Sequence, residues 1–284
     1  MEIIWNLLFG NWNLNLERGH IMIARIIGLT VFFQLITVSL FGQDSLNHCS
    51  IFPEGITIDY GLGHSSVRDE YISKEKYSGA LPYFAASWSR FHNKYGFRQK
   101  LEFRGSSEVK NYNITTDIIQ FSLHRDYLYP VGKFTMLSKD IFSYLGPSTE
   151  LFLFYNKPNY IEGGIHLNYS FVLLISGGFN ADFIVPLQHG FQIESSVYLS
   201  LLSLGLRTPE IIKPKENDEE EESPGKLLTP FSGMNSDVHF GARYYFSKSL
   251  SMKLAYKFQL TRIRSWDPLL SASDNLILTL TYHF

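Results

Sequence analysis

Residues 275–284 form a pattern of period two, with Leu276, Leu278, Leu280, Tyr282 and Phe284 on one face and Asn275, Ile277, Thr279, Thr281 and His283 on the other. In water a strand this apolar on one side is an aggregation-prone edge. It must therefore be paired and covered, or face lipid within a closed sheet. A closed sheet demands partners of the same alternating kind upstream.

Such partners recur along the chain. In residues 55–66, Ile56, Ile58, Tyr60 and Leu62 alternate with Thr57, Asp59, Gly61 and Gly63. A polar loop follows over 67–78, then a second strand over about 80–92 with Phe84 and Trp88, returning through a short turn at 93–96. In the third strand Phe97, Gln99, Leu101 and Phe103 alternate with Arg98, Lys100, Glu102 and Arg104. An Arg or Lys on a lipid face costs about 2–4 kcal/mol at the bilayer midplane, so these four charges are expected in the lumen. A fourth strand, about 113–125, places Gln120, Ser122 and His124 inward and ends at a corner, 127–130, where Pro130 suits a strand end. A fifth, about 142–155, carries Glu150 inward.

Residues 161–187 read as two strands split at Gly177-Gly178, or as one strand with a bulge there. In the seventh strand, from Phe191 to about Leu206, the apolar parity switches, and a bulge near Leu201-Leu202 would restore it. Residues 208–233 contain Pro209, Pro214, Pro224, Pro230 and the run 218–222 of five acidic residues, and are expected as an acidic, solvated outer loop. Clean alternation returns over 236–246 and 250–263. If both ends lie on one side of a membrane the strand count is even. The bulge gives ten strands and puts the short turns at 93–96, 188–190 and 247–249 on one side; twelve is the alternative.

A final strand of alternating apolar residues ending on Phe284, with Tyr282 two before it, resembles the closing strand of bacterial outer-membrane β-barrels. The resemblance implies an all-β, transmembrane, antiparallel up-and-down barrel over 55–284. It also implies that Leu280, Tyr282 and Phe284 form the C-terminal signal read by the barrel-assembly machinery. Periplasmic chaperones would then be partners during biogenesis, and outer-membrane lipids and lipopolysaccharide would surround the folded chain, here as a monomer.

Composition agrees with that class. Hydrophobic residues make up 45% and aromatics 15%, with a mean hydropathy of −0.05. A transmembrane barrel averages out in this way, because lipid-facing and lumen-facing residues alternate. Twenty-five Lys and Arg against 27 Asp and Glu leave no field to attract a nucleic acid. The single Cys49 forms no internal disulfide, and Asn47 and His48 before it do not make an acylation motif. Met22-Ile-Ala-Arg25 followed by an apolar run, 26–41, has the layout of a signal peptide over 22–42. Residues 1–21 are then an extension ahead of a start at Met22, and 43–54 a mobile mature N-terminus.

Two constellations could carry chemistry. The expected lumen charges are Arg90, Arg98, Lys100, Glu102, Arg104, Glu150, Glu194, Arg243, Lys253 and Lys257. They would line an anion-favouring pore, or salt-bridge into a plug, which suits a barrel little wider than the eight-stranded kind. The pair His64 and Ser66 is similar to the H-x-S of outer-membrane phospholipases and lipid A deacylases, in which His activates Ser against an ester. Those families follow the Ser with Asn, whereas Val67 stands here. No metal or cofactor motif is evident. The expectation is thus a non-enzymatic outer-membrane barrel with a structural, adhesive or narrow-channel role; the alternatives are a lipid esterase using His64 and Ser66, and a soluble exported β-sandwich. Deleting Phe284 is expected to lower the yield of assembled barrel, measured as heat-modifiable folded protein in outer-membrane fractions.

Overall fold

The structure is a computed structural model that describes residues 51–70, 72, 76–92, 94–111, 114–136, 139–159, 169–207, 225–265 and 268–284. The expected signal peptide, the extension before it, Cys49 and the acidic run 218–222 lie outside the described residues. The strands are β1 (Gly55–Asp69), β2 (Lys76–Ala80), β3 (Tyr83–His92), β4 (Tyr95–Asn111), β5 (Ile114–Met136), β6 (Lys139–Asn159), β7 (Ser170–Pro186), β8 (Phe191–Arg207), β9 (Gly225–Leu228), β10 (Gly233–Tyr245), β11 (Leu250–Ile263) and β12 (Leu269–Tyr282).

All pairings are antiparallel, and β12 returns to β1 from Ile56↔Tyr282 through Asp69↔Leu269, so the sheet closes on itself. The strands occupy ten places in the ring. β2 and β3 share one place, since both pair with β1 and with β4, and the break between them falls at Leu81-Pro82, where proline has no N–H to give a ladder. β9 and β10 share another, both pairing with β8. The expected barrel of about ten strands is therefore what the chain forms. Gly55 and Tyr282 mark its lower end, and Asp69 and Leu269 its upper end.

The single-strand reading of 161–187 holds over its described part, and the irregularity lies across from the glycines. Gly177 pairs with Leu202 and Gly178 with Ser200, so the extra residue is Leu201, on β8. Leu201 and Leu202 are both exposed, and the alternation resumes beyond them, as the parity switch implied. A Cβ on Gly178 would lie 2.1 Å from the Leu199 carbonyl oxygen, which explains why glycine is used where β8 bulges toward it.

Several boundaries differ from expectation. β1 continues to Asp69 and β2 begins at Lys76, so the first loop is shorter than 67–78. The 127–130 corner does not exist: β5 runs on to Met136 and β6 starts at Lys139. Pro130 is tolerated because β4 stops pairing at Gly96↔Leu128, which leaves β5 an edge strand below that point, and because the ladder with β6 shifts between Pro130 and Gly132. At the projecting β5–β6 tip, Lys133 Nζ lies 2.7 Å from Asp140, and this contact with a bond from Thr135 holds the Asp140 carboxyl below its usual range. Finally, 208–233 is not wholly irregular, since it contains β9.

Replacing Gly178 with Val is expected to destabilise the barrel by about 1–3 kcal/mol through overpacking against backbone. The check is the temperature at which the compact band is lost on semi-native gels. Gly177→Ala, whose added Cβ meets nothing within 4 Å, should leave that temperature unchanged.

Candidate functional site

The inside of the barrel is layered. At the upper end, inward apolar residues from almost every wall strand meet in one buried cluster: Val67 of β1, Tyr77 of β2, Leu81, Val109 of β4, Ile118 of β5, Phe152 and Phe154 of β6, Val172 and Leu174 of β7, Leu228 of β9, Ile263 of β11 and Leu269 of β12. Contacts contributed from all round the ring make this a cork across the bore. A bulge between Ser106 and Val109 on β4 turns Val109 into it. Two residues beyond Val67 on β1, Asp69 pairs with Arg207 and also accepts from Asn156 Nδ2 at 3.3 Å.

Below the cork lies a belt of charge. Glu102 is its centre: Lys257 Nζ reaches its two oxygens at 2.6 and 2.8 Å from the far side of the ring, Lys100 at 3.0 Å, Arg104 at 3.2 Å, and the Tyr83 hydroxyl donates at 3.1 Å. Lys257 also meets Asp237 at 3.1 Å, and Lys100 meets Asp59 at 3.2 Å. Lower down, Glu194 binds Arg243 and takes Lys253 Nζ at 3.0 Å, while Arg98 bridges Asp126 and Asp182 at 2.8 Å each. Glu150 accepts from Asn235 at 2.6 Å and stands 3.3 Å from His124 Nε2. Buried charges persist when paired and hydrogen-bonded, and this belt supplies both except at Glu150 Oε2, His124 Nε2 and Arg104 Nε, which make no hydrogen bond.

A cavity of about 100 Å³ lies within the belt and reaches the lower mouth, touched by Glu102, Lys257, Arg98, Glu194 and Phe52. Phe52 closes the mouth in a second apolar cluster with Leu128, Phe142, Tyr144 and Ile184. Gly96 makes room for it, since a Cβ there would sit 2.5 Å from the Phe52 ring. Ser89 Oγ donates to Pro53 O at 2.6 Å, and His283 Nδ1 donates to Glu54 O at 2.6 Å, leaving Nε2 to accept from Ser251 Oγ. Residues 51–54, placed by sequence in a mobile N-terminus, are thus tied into the mouth.

Of the expected lumen charges, Arg98, Lys100, Glu102, Arg104, Glu150, Glu194, Arg243, Lys253 and Lys257 all point inward and take part in the belt. Arg90 does not. It lies exposed on the outer wall, because it shares the parity of Phe84 and Trp88 rather than that of Ser87 and Ser89. The expectation omitted Asp59, Asp69, Asp126, Asp182, Asp237 and Arg207. Parity would have found Asp59 beside Thr57 and Asp237 beside His239, whereas Asp126 fell beyond the early end assigned to its strand and Asp182 within the ambiguous stretch. With these carboxylates present the Arg and Lys ladder is neutralised.

Leu280, Tyr282 and Phe284 lie exposed on the outer wall, with Leu276 and Leu278 above them. His64 lies exposed on that wall and Ser66 is buried. The two share a face, and the register sets Asp274 directly opposite His64, an acid not recognised in the sequence. No hydrogen bond between His64 and Ser66 is formed. Among the described residues no cluster of His, Cys, Asp and Glu suits a metal ion.

No protein-family model and no curated protein matches the chain. Among solved structures it is similar to the outer membrane protease OmpT from Escherichia coli (9% identity, TM-score 0.44, covering 85% of this chain and 99% of that one). It is similar also to the translocator domain of the autotransporter NalP from Neisseria meningitidis (10%, 0.42, 92% and 98%) and to Neisserial surface protein A (11%, 0.36, 81% and 98%). At such identities and scores none of them lends this chain a function.

Glu102→Ala would leave Lys257, Lys100 and Arg104 buried without their shared carboxylate, and is expected to cost about 3–5 kcal/mol. Pairing Glu102→Leu with Lys257→Met should recover part of that loss. Urea unfolding in detergent micelles, followed by tryptophan fluorescence, measures both.

Proposed function

We infer that the chain is a β-barrel of the bacterial outer membrane that is closed to solutes and works through its wall and outer end, as a structural or adhesive protein. Two features support the membrane reading. The outer wall carries a band of exposed apolar side chains round the ring, such as Ile58, Phe103, Phe179, Phe240 and Leu278. The ring closes through the β1–β12 and β8–β10 ladders, so the middle of the wall presents no open backbone edge. Aromatic residues gather toward the lower end, where Trp88, Phe97, Tyr127, Tyr95 and Tyr129 form a chain of ring contacts 5.4–5.8 Å apart, suiting an interfacial girdle. A soluble sandwich would put such residues between two sheets, and here they face outward.

The cork carries the functional reading. Apolar side chains meeting across the bore exclude hydrated ions, and the belt below binds its own charges internally. The test is single-channel recording of the purified protein in a planar bilayer. Silence is expected; stable anion-favouring steps would make the Arg and Lys ladder a conducting pore lining and overturn this reading.

One observation favours a second reading, an outer-membrane lipid esterase: Asp274 faces His64 beside Ser66 on the wall. The unbonded His64 and buried Ser66 rank it second. Ester hydrolysis lost on Ser66→Ala, with the barrel still folded, would restore it.

A further inference from the structure

The cork provides a common level at which opposite sides of the outer wall can be compared. On one side, its members Val67, Tyr77 and Ile263 are flanked on the outer face by Ser66 and Arg68 of β1, Lys76 of β2 and Arg262 of β11. Arg68 stands directly across from Lys76, and both Arg68 and Arg262 register with Leu270. The Arg68 side chain is 47% exposed and paired to Glu70 at 2.7 Å. On this side the exposed apolar residues of β1 and β12 end lower, at Leu62 and Leu276, and are followed by the pair His64 and Asp274; above them Leu260 and Ala272 are buried and Leu270, level with Arg68, is half-buried.

On the other side, cork members Val172, Leu174 and Leu228 are flanked on the outer face by Leu173, Ile175 and Leu227. Leu206 pairs with Leu173, and Leu204 pairs with both Ile175 and Leu227. Leu227 is 66% exposed, Ile175 51%, Leu204 47% and Leu206 39%. This surface is unbroken with the band below it through Leu202 and Phe179, so one apolar face runs from mid-wall to the tops of β7, β8 and β9.

A charge exposed to hydrocarbon costs more the farther it lies from the interface, and exposed leucine in water is unfavourable by area. A single membrane plane perpendicular to the barrel axis would violate one of these on one side. We propose that the barrel sits obliquely, with acyl chains covering the outer face of β7, β8 and β9 up to the level of the cork while, at that same level, the face of β11, β1 and β2 meets headgroups and water. This rests on the membrane reading above. The occupant of the tall face is acyl chain rather than protein because that face is continuous with the lipid-facing band.

The experiment places a nitroxide on single cysteines at Leu206, Leu227, Arg68 and Leu278, in a Cys49→Ser background, with the full chain folded into phosphatidylcholine vesicles. Collisions with molecular oxygen, which concentrates in hydrocarbon, are compared with those of a neutral nickel chelate, which stays in water. The oxygen-to-nickel ratio is expected to be several-fold higher at Leu206 and Leu227 than at Arg68, and high at Leu278. Equal ratios at Leu206, Leu227 and Arg68, with Leu278 still lipid-exposed, would overturn the oblique seat and spare the barrel reading. A label at Leu206 or Leu227 shielded from both reagents would also overturn it, by assigning that face to protein. A water-exposed Leu278 would remove the membrane reading and the seat with it.

Discussion

The ladder between β1 and β12 is the constraint on which the rest of this structure depends. Each strand presents apolar side chains outward, so an unpaired edge would set a row of N–H and C=O groups beside an apolar surface. Closure from Ile56↔Tyr282 to Asp69↔Leu269 removes that edge. Everything else then serves the register that closure requires. Leu201 is squeezed out opposite Gly177 and Gly178, and two strands are broken, at Leu81-Pro82 and between β9 and β10, without opening the ring.

Closure also makes an inside that must be filled, and this chain fills it twice over. Apolar residues occupy the upper end, and ion pairs the middle. The two fillings differ in what they tolerate. Apolar packing needs only shape and burial, whereas Glu102, Lys257, Arg104 and Lys100 stabilise the fold only as a set, because each is a liability if its partner is missing. The belt thus ties β4 to β11 across the bore, adding a cross-brace that wall hydrogen bonds cannot supply.

Legibility in the sequence followed from what determines each feature. Alternation of period two is local, so the inward placement of Arg98, Lys100, Glu102 and Arg104 and the outward placement of Leu276 to Phe284 could be read from the residues alone. The number of places in the ring could be reached because both ends on one side require an even count, which favours one strand over 161–187; the side-chain switch at Leu201-Leu202 marks only the bulge itself. Proline misled at Pro130, where the missing β4 partner that makes it tolerable is a tertiary fact. Arg90 was misplaced by charge being weighed over its parity with Trp88. The cork could not be read at all: its members lie at strand ends, on strands spread from β1 to β12, and nothing in the order of the chain says that Val67 and Leu174 share a height.

That shared height is what turns a list of lumen charges into a statement about permeation. Cations read one strand at a time suggest an anion path, since Arg and Lys recur on β4, β10 and β11. Read across the bore, most face a carboxylate from another strand, as Lys257 does Glu102 and Asp237, and Arg98 does Asp126 and Asp182, while Arg104 pairs with Glu102 of its own strand. A passing anion would have to displace a carboxylate already held at hydrogen-bond distance and then cross a layer whose buried side chains are apolar apart from the Tyr77 hydroxyl. Both steps are uphill, the second by the desolvation of an ion in a medium that offers little in return. On the closed-barrel reading proposed above, the charges hold the wall together, and the outer face and the upper end are left to meet other molecules.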